Sequence, residues 1–291
     1  MVQIQFYADY LDQEKHVAQN TKKSYLRDIM KFYTYLKKRG IEDIRKVDTS
    51  MVQSYLLLLE KNGLAVSSVY RAQVALRSFY AYLCKRGQVS QNPVCVLDLP
   101  KRDKVKVEIL MPKEIERLIH ATDGNSFKCI RDKAMLEVLY ATGIRVSELL
   151  GLRREQIYEK DCCIMVESRG HQRVIPVGDI AMAALCRYLK LVEDRFEEIP
   201  ETVFVNQNGG ALSRQGFWKL VKQYQQKAGI QKDIMPHTFR HSFAVHLIAG
   251  GADVQSVQEM MGHKEKTTTM EYVDIASKRL GEVYRLSLIH I

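Results

Sequence analysis

Apolar residues recur at helical spacing through most of this chain, and the breaks in that rhythm divide it. A helix is predicted from a Thr21 cap to about Arg39, stopped by Gly40. Tyr25, Ile29, Phe32 and Leu36 form its apolar face, and Lys23, Arg27 and Lys31 fall on the opposite one. After a connector over 41–47, Asp48 or Ser50 opens a second helix through Leu59, ended near Asn62-Gly63. Ser67 opens a third, with Val69, Ala72, Leu76, Phe79 and Leu83 inward and Arg71 and Arg77 on other faces; it stops at Gly87.

The rhythm fails from Asn92-Pro93 to Pro112. LPKRDKVKVEILMP is charged and bounded by prolines, which predicts a linker over 97–111 between domains at 1–96 and 112–285. Pro112 suits the first turn of a helix carrying Ile115, Leu118 and Ile119. Helices are predicted over Ile130–Tyr140, Val146–Leu150 and Ile180–Arg195. CCIMV and QRVIPV read as two strands joined by a hairpin at Ser168-Arg169-Gly170-His171, and TVFVN as a further short strand. Beyond Ser213 the pattern is helical, broken at Gly229, Gly250-Gly251 and Gly262. The fold class expected is mainly α with a small antiparallel β hairpin or sheet. LSLIHI at 286–291 breaks the helical tail and is read as a non-native tail, outside the fold.

Charge changes the picture. The net charge is +10; residues 1–110 carry +8 of it and the remainder +2. A basic front half suits a polyanion, most often nucleic acid, although a solvated basic surface gives the same count. Lys23, Arg27, Arg71 and Arg77 are the candidate DNA contacts, with ordinary exposed helix charge as the alternative. No apolar run approaches about eighteen residues and no leader follows Met1, so a soluble, cytoplasmic chain with no membrane partner is expected. Cys84, Cys95, Cys129, Cys162, Cys163 and Cys186 show no CxxC spacing, which disfavours zinc and suits reduced thiols; Cys162 and Cys163 are placed in a strand.

The candidate chemistry sits in PHTFRHSFAVHLIAGGADVQSVQEMMGHKEKTTTMEY and in ATGIRVSELLGL. His237 and Arg240, three apart at a helix start, share one face. A guanidinium fork donates two parallel charged hydrogen bonds to phosphate, and imidazole donates to oxygen or carries a proton near neutral pH. A capped, solvent-facing helix start would explain HxxR alone. His263 follows Gly262, and Tyr272 lies nine residues on. A tyrosine hydroxyl, with its pKa near 10, needs adjacent positive charge or a base to act as a nucleophile. Arg145 lies on a turn between helices, where Glu148 at i+3 can hold it; a surface ion pair is the plainer reading.

ATGIRVSELLGL, PHTFRHSFAVHL, MMGHKEKTTTMEY and the helical front half together resemble the tyrosine recombinase, or phage integrase, family, and in their two-domain length its Xer-type members. The resemblance runs from residue 1 to about 285. It implies an N-terminal helical, SAM-like DNA-clamp domain and an α/β catalytic domain. The implied activity is site-specific cleavage and rejoining of double-stranded DNA through a 3′-phosphotyrosine, in a homo- or hetero-tetramer on the recombination site. It implies Tyr272 as nucleophile, Arg145 and Arg240 on the scissile phosphate, and His237 assisting proton transfer. It further implies His263 as a donor to phosphate oxygen and Glu148 as the buttress of Arg145. Metal, ATP and other cofactors are not required by this chemistry. One position departs: the family's hairpin lysine, which protonates the leaving 5′ oxygen, is replaced by Arg169. Arginine holds phosphate but donates its proton poorly, and His171 is the nearest alternative acid. A DNA-binding relative with weakened cleavage is the alternative function. A metal-dependent nuclease fits less well, because no matching carboxylate cluster accompanies the histidines.

Overall fold

The computed structural model describes residues 2–99, 108–168, 170–235 and 237–262, with 269, 270, 272, 273, 275 and 276 beyond them. The chain forms two compact units, Met1–Val105 and Lys106–Ile291.

The first unit is helical: α1 (Val2–Gln13), α2 (Gln19–Lys38), α3 (Thr49–Lys61) and α4 (Val66–Lys85). The expected faces are the buried ones. Ile29, Phe32 and Leu36 of α2 meet Leu76, Phe79 and Leu83 of α4, all without solvent exposure. Tyr7 of α1 packs edge-on against Phe79 and donates its hydroxyl to Ser78. Asp48 caps α3 by accepting the Met51 N–H at 2.9 Å. The other two expected caps are corrected. Helix α2 starts ahead of Thr21 and α4 ahead of Ser67, from Ala18 and Ala65, which offer no side-chain cap. In each case an apolar residue just before the cap, Val17 or Leu64, packs on the core and sets the entry point of the chain.

The second unit opens with α5 (Pro112–His120) and α6 (Phe127–Thr142), and α7 (Val146–Leu150) follows α6 after a short turn. A three-stranded antiparallel sheet comes next: β1 (Ile157–Tyr158), β2 (Cys163–Ser168) and β3 (His171–Pro176), in that order. Then come α8 (Asp179–Arg195), α9 (Arg214–Lys227), α10 (Thr238–Ala249) and α11 (Val254–Met261). Helix α6 runs through the core: Ala134, Met135, Leu136 and Val138 are fully buried. In the hairpin, Ile164 pairs with Ile175 and Val166 with Arg173, so these four residues share the face turned inward.

The sheet holds a strand the hydrophobic pattern did not suggest, β1, too short to show a period. TVFVN forms no strand beyond the single bridge of Val205 to Ala211. Its backbone is satisfied elsewhere: Val203 N–H donates to the Leu152 carbonyl and Val205 N–H to the Tyr188 hydroxyl. Cys162 lies in the turn before β2 with φ +47°, not in the strand. Among the described residues, no helix is long and apolar enough to cross a membrane. The architecture is mainly α with a small antiparallel sheet, as the sequence suggested.

Candidate active site

Two glycine turns frame the site. Helix α6 ends at Gly143 in the left-handed region, φ +59°, where a Cβ would stand 2.2 Å from the Phe243 ring. This turn delivers Arg145 to the N-cap of α7. Helix α11 ends in the same way at Gly262, φ +61°.

Glu148 is the hub of the first arginine. Its Oε2 accepts the Arg145 backbone N–H at 2.8 Å, and its Oε1 accepts Arg145 Nη1 at 2.8 Å. A second guanidinium, Arg173 on β3, reaches the same carboxylate, with Nη2 at 2.8 Å from Oε2 and Nη1 at 3.2 Å from Oε1. Glu148 is buried, with 6% side-chain exposure, while Arg145 keeps 34%. Burial alone would raise the Glu148 pKa. The Arg173 hydrogen bonds, the Arg145 N–H and the two positive charges outweigh it and hold the group below the ordinary carboxylate value.

Arg240 is the buried arginine, 4% exposed on α10. Its Nη1 donates to the Gly143 carbonyl at 2.7 Å and its Nη2 to the Met261 carbonyl, so it ties the two glycine turns together. Burial, and then the charge of Arg145, brings its pKa down to about 10, which leaves it a cation at neutral pH. His237 is the N-cap residue of α10. It is exposed overall, yet the protein packed about its ring, and then the charges of Arg240 and Arg145, set its pKa below the ordinary value. At pH 7 it is a neutral imidazole with a free lone pair for a proton.

Tyr272 is only 3% exposed and packs with Ile109, Phe243, Val257 and Met261. Its hydroxyl lies 2.8 Å from Nδ1 of His241, one turn beyond His237 on α10. Burial, then His237 and Arg240, push the His241 pKa down to about 4. The ring is therefore uncharged at neutral pH, and Nδ1 can accept a hydrogen bond from the phenol. Arg145, Arg240, His237 and Tyr272 are thus gathered at one place with Glu148 behind them. His171 is exposed at the start of β3, opposite Ser168. Arg169 and His263 lie outside the described residues.

Two members of this cluster went unremarked in the sequence. Arg173 carried a signal: it is in phase with Ile175 and Val177 on the inward face of its strand, where an arginine needs a buried partner. His241 is four residues past His237 and shares its helix face. Of the candidate DNA contacts, Lys23 and Arg27 are exposed on α2. Arg71 instead holds the buried Asp28, with Nε 2.8 Å from Oδ2. Arg77 donates to the Val94 and Leu97 carbonyls at 3.3 and 2.7 Å. Arg71 keeps 37% side-chain exposure beside this ion pair, and Arg77 ties α4 to the segment after it. Among the described residues, no group of three or more His, Cys, Asp or Glu side chains is placed to hold a metal ion.

Residues 108–279 match the phage integrase family, and residues 4–87 match the phage integrase N-terminal SAM-like domain. The chain belongs to the phage integrase family, the tyrosine recombinases, and is a DNA strand-breaking and rejoining enzyme, a site-specific recombinase. It is 35% identical to tyrosine recombinase XerD of Listeria monocytogenes serotype 4b (strain F2365) over 289 residues, 97% of each chain. Among solved structures it resembles XerA recombinase, with 25% identity, TM-score 0.55 and coverage of 97% of this chain and 98% of that one. It also shares the fold of XerH site-specific recombinase bound to difH substrate, with 20% identity, TM-score 0.74 and coverage of 94% and 81%.

Proposed function

We propose that this chain cuts and rejoins a double-stranded DNA recombination site in the cytoplasm, as part of a homo- or hetero-tetramer, with Tyr272 as its nucleophile. The Tyr272 oxygen bonds to the scissile phosphorus, the bond from phosphorus to the 5′ oxygen breaks, and the strand is held as a 3′-phosphotyrosine. His237 takes the phenol proton, for which its neutral ring is suited. Arg145 and Arg240 carry the charge that grows on the phosphate oxygens. His263 adds a hydrogen bond to those oxygens, and Arg169 and His171 serve the leaving 5′ oxygen. Rejoining is the reverse attack by a 5′ hydroxyl, and the energy of the broken bond is kept in the phosphotyrosine. Lys23 and Arg27 contact the DNA backbone from the first unit.

The observation that carries this reading is the meeting of two arginines of opposite character at one tyrosine. Arg240 is buried and fixed by main-chain carbonyls, and Arg145 is part-exposed and fixed by a carboxylate. The test is adduct formation on a nicked duplex from which the released strand diffuses away. The unsubstituted chain forms a covalent protein–DNA adduct and Tyr272→Phe forms none. An adduct that persists in Tyr272→Phe would overturn the assignment. Arg169 in place of lysine favours a second reading, a relative that binds DNA with weakened cleavage. Tight site-specific binding without an adduct would support it.

A further inference from the structure

Arg173 occupies a position where an apolar residue would complete the inward face of the hairpin. It pairs with Val166 across the strands, next to the buried Ile164–Ile175 pair. Its side chain is 12% exposed, and all three guanidinium nitrogens donate: Nη1 and Nη2 to Glu148, and Nε to the Met260 carbonyl at 2.8 Å. The turn at Gly262 leaves the room it fills, since a Cβ there would lie 3.2 Å from Nη1.

Followed from bond to bond, these contacts form a ring. Arg145 and Arg173 share Glu148. Arg173 holds the Met260 carbonyl, and Arg240 holds that of the next residue, Met261. Arg240 also holds the Gly143 carbonyl, two residues before Arg145. Arg173 is the link that couples the α7 end of this ring to the α11 end. A buried ion pair adds little net stability over apolar residues of similar volume. What the charged fork adds is direction: it fixes the plane of the Glu148 carboxylate, and with it the Arg145 guanidinium.

We infer that Arg173 is a positioning residue for DNA cleavage, holding Arg145 through Glu148 in register with Arg240. This inference rests on the recombinase reading, and its loss shows in the chemical step.

The test uses the full chain and a nicked duplex whose site is enriched from a randomised pool by the Tyr272→Phe protein. Single-turnover adduct formation, duplex affinity and thermal melting are measured for the unsubstituted chain, Arg173→Met and Arg173→Lys. Arg173→Met cleaves about 100-fold more slowly, the scale of loss for a catalytic group displaced by about 1 Å. Duplex affinity is little changed, free guanidinium ion restores part of the rate, and Arg173→Lys is intermediate. Arg173→Met also loses rate more steeply in acid than the unsubstituted chain does. Without the Arg173 fork, burial raises the Glu148 pKa, opposed by Arg145 on α7 and Arg240 on α10, with His237 and Tyr272 nearby. Unchanged rate and pH dependence in Arg173→Met overturns the inference alone. So does a rate loss that follows melting or affinity, with no guanidinium rescue and no steeper loss in acid. Failure of the unsubstituted chain to form any adduct overturns the recombinase reading and this inference with it.

Discussion

Nδ1 of His241 stands 2.8 Å from the hydroxyl of Tyr272, across 31 residues of sequence, and the imidazole that makes this contact is uncharged. A protonated ring would offer only donors, so the phenol could no longer donate a hydrogen bond to Nδ1. The contact therefore persists down to about pH 4, where the ring gains its proton. His241→Asn is expected to slow adduct formation about tenfold, as an oriented nucleophile becomes a mobile one. Rate measured against duplex affinity checks it: the rate falls and the affinity stays.

The same histidine gives the fold a pH dependence of definite sign. The folded pKa is about 4 against 6.5 for the free side chain. Between these values the unfolded chain binds the proton and the folded chain does not, so stability rises with pH. The contribution is complete above about pH 6.5 and is lost as pH falls toward about 4. His237, also depressed, acts in the same direction. Urea midpoints at pH 7 and pH 5 will show the loss, and His241→Asn will reduce the difference.

Gly143→Ala tests the turn that carries Arg145. The new methyl meets Phe243 at 2.2 Å and the backbone is left-handed there, so the fold should lose about 2 kcal/mol or more. Because Arg240 is bound to the Gly143 carbonyl, adduct formation should fall in the protein that remains folded. Calorimetric melting and single-turnover rates separate the two effects.

In the first unit, the exposed and the engaged cations should behave differently. Replacing Lys23 or Arg27 by Gln lowers DNA affinity and reduces the slope of log affinity against log salt by about one unit each, with melting unchanged. Arg77→Gln instead lowers the melting temperature, since it abandons the Val94 and Leu97 carbonyls. Equal salt slopes for all the variants would contradict this division.

Arg169→Lys restores a side chain that can release its proton. Adduct formation should accelerate, within the range of about 100- to 10,000-fold that general acids supply. The gain should vanish on a duplex whose leaving oxygen is replaced by sulfur, which departs without a proton.

Local patterns carried much of this structure into the sequence. The α2 face of Ile29, Phe32 and Leu36 follows from helical period alone, and the Arg145–Glu148 contact follows from an i,i+3 spacing. The α2 and α4 starts did not, because Ala18 and Ala65 carry no capping group and tertiary packing places them. TVFVN has the composition of a strand, but whether a neighbour will pair with it is not a local property. The partners of Arg173 are similarly remote: Glu148 is 25 residues away and Met260 is 87, and only the hairpin register turns the arginine toward them. The candidate DNA contacts Arg71 and Arg77 make hydrogen bonds to groups 43 and 20 residues distant, which their helix positions alone do not disclose.

Arg240 is aimed by two peptide carbonyls, those of Gly143 and Met261, and by no side chain among its hydrogen-bond partners named above. A main-chain acceptor survives any mutation that preserves the path of the backbone. The cutting centre can therefore stay constant while the outward helix surfaces drift toward new target sequences. For anyone retargeting such an enzyme, solvent-facing positions of the helices are open to randomisation, and the two glycine turns are the part to leave untouched.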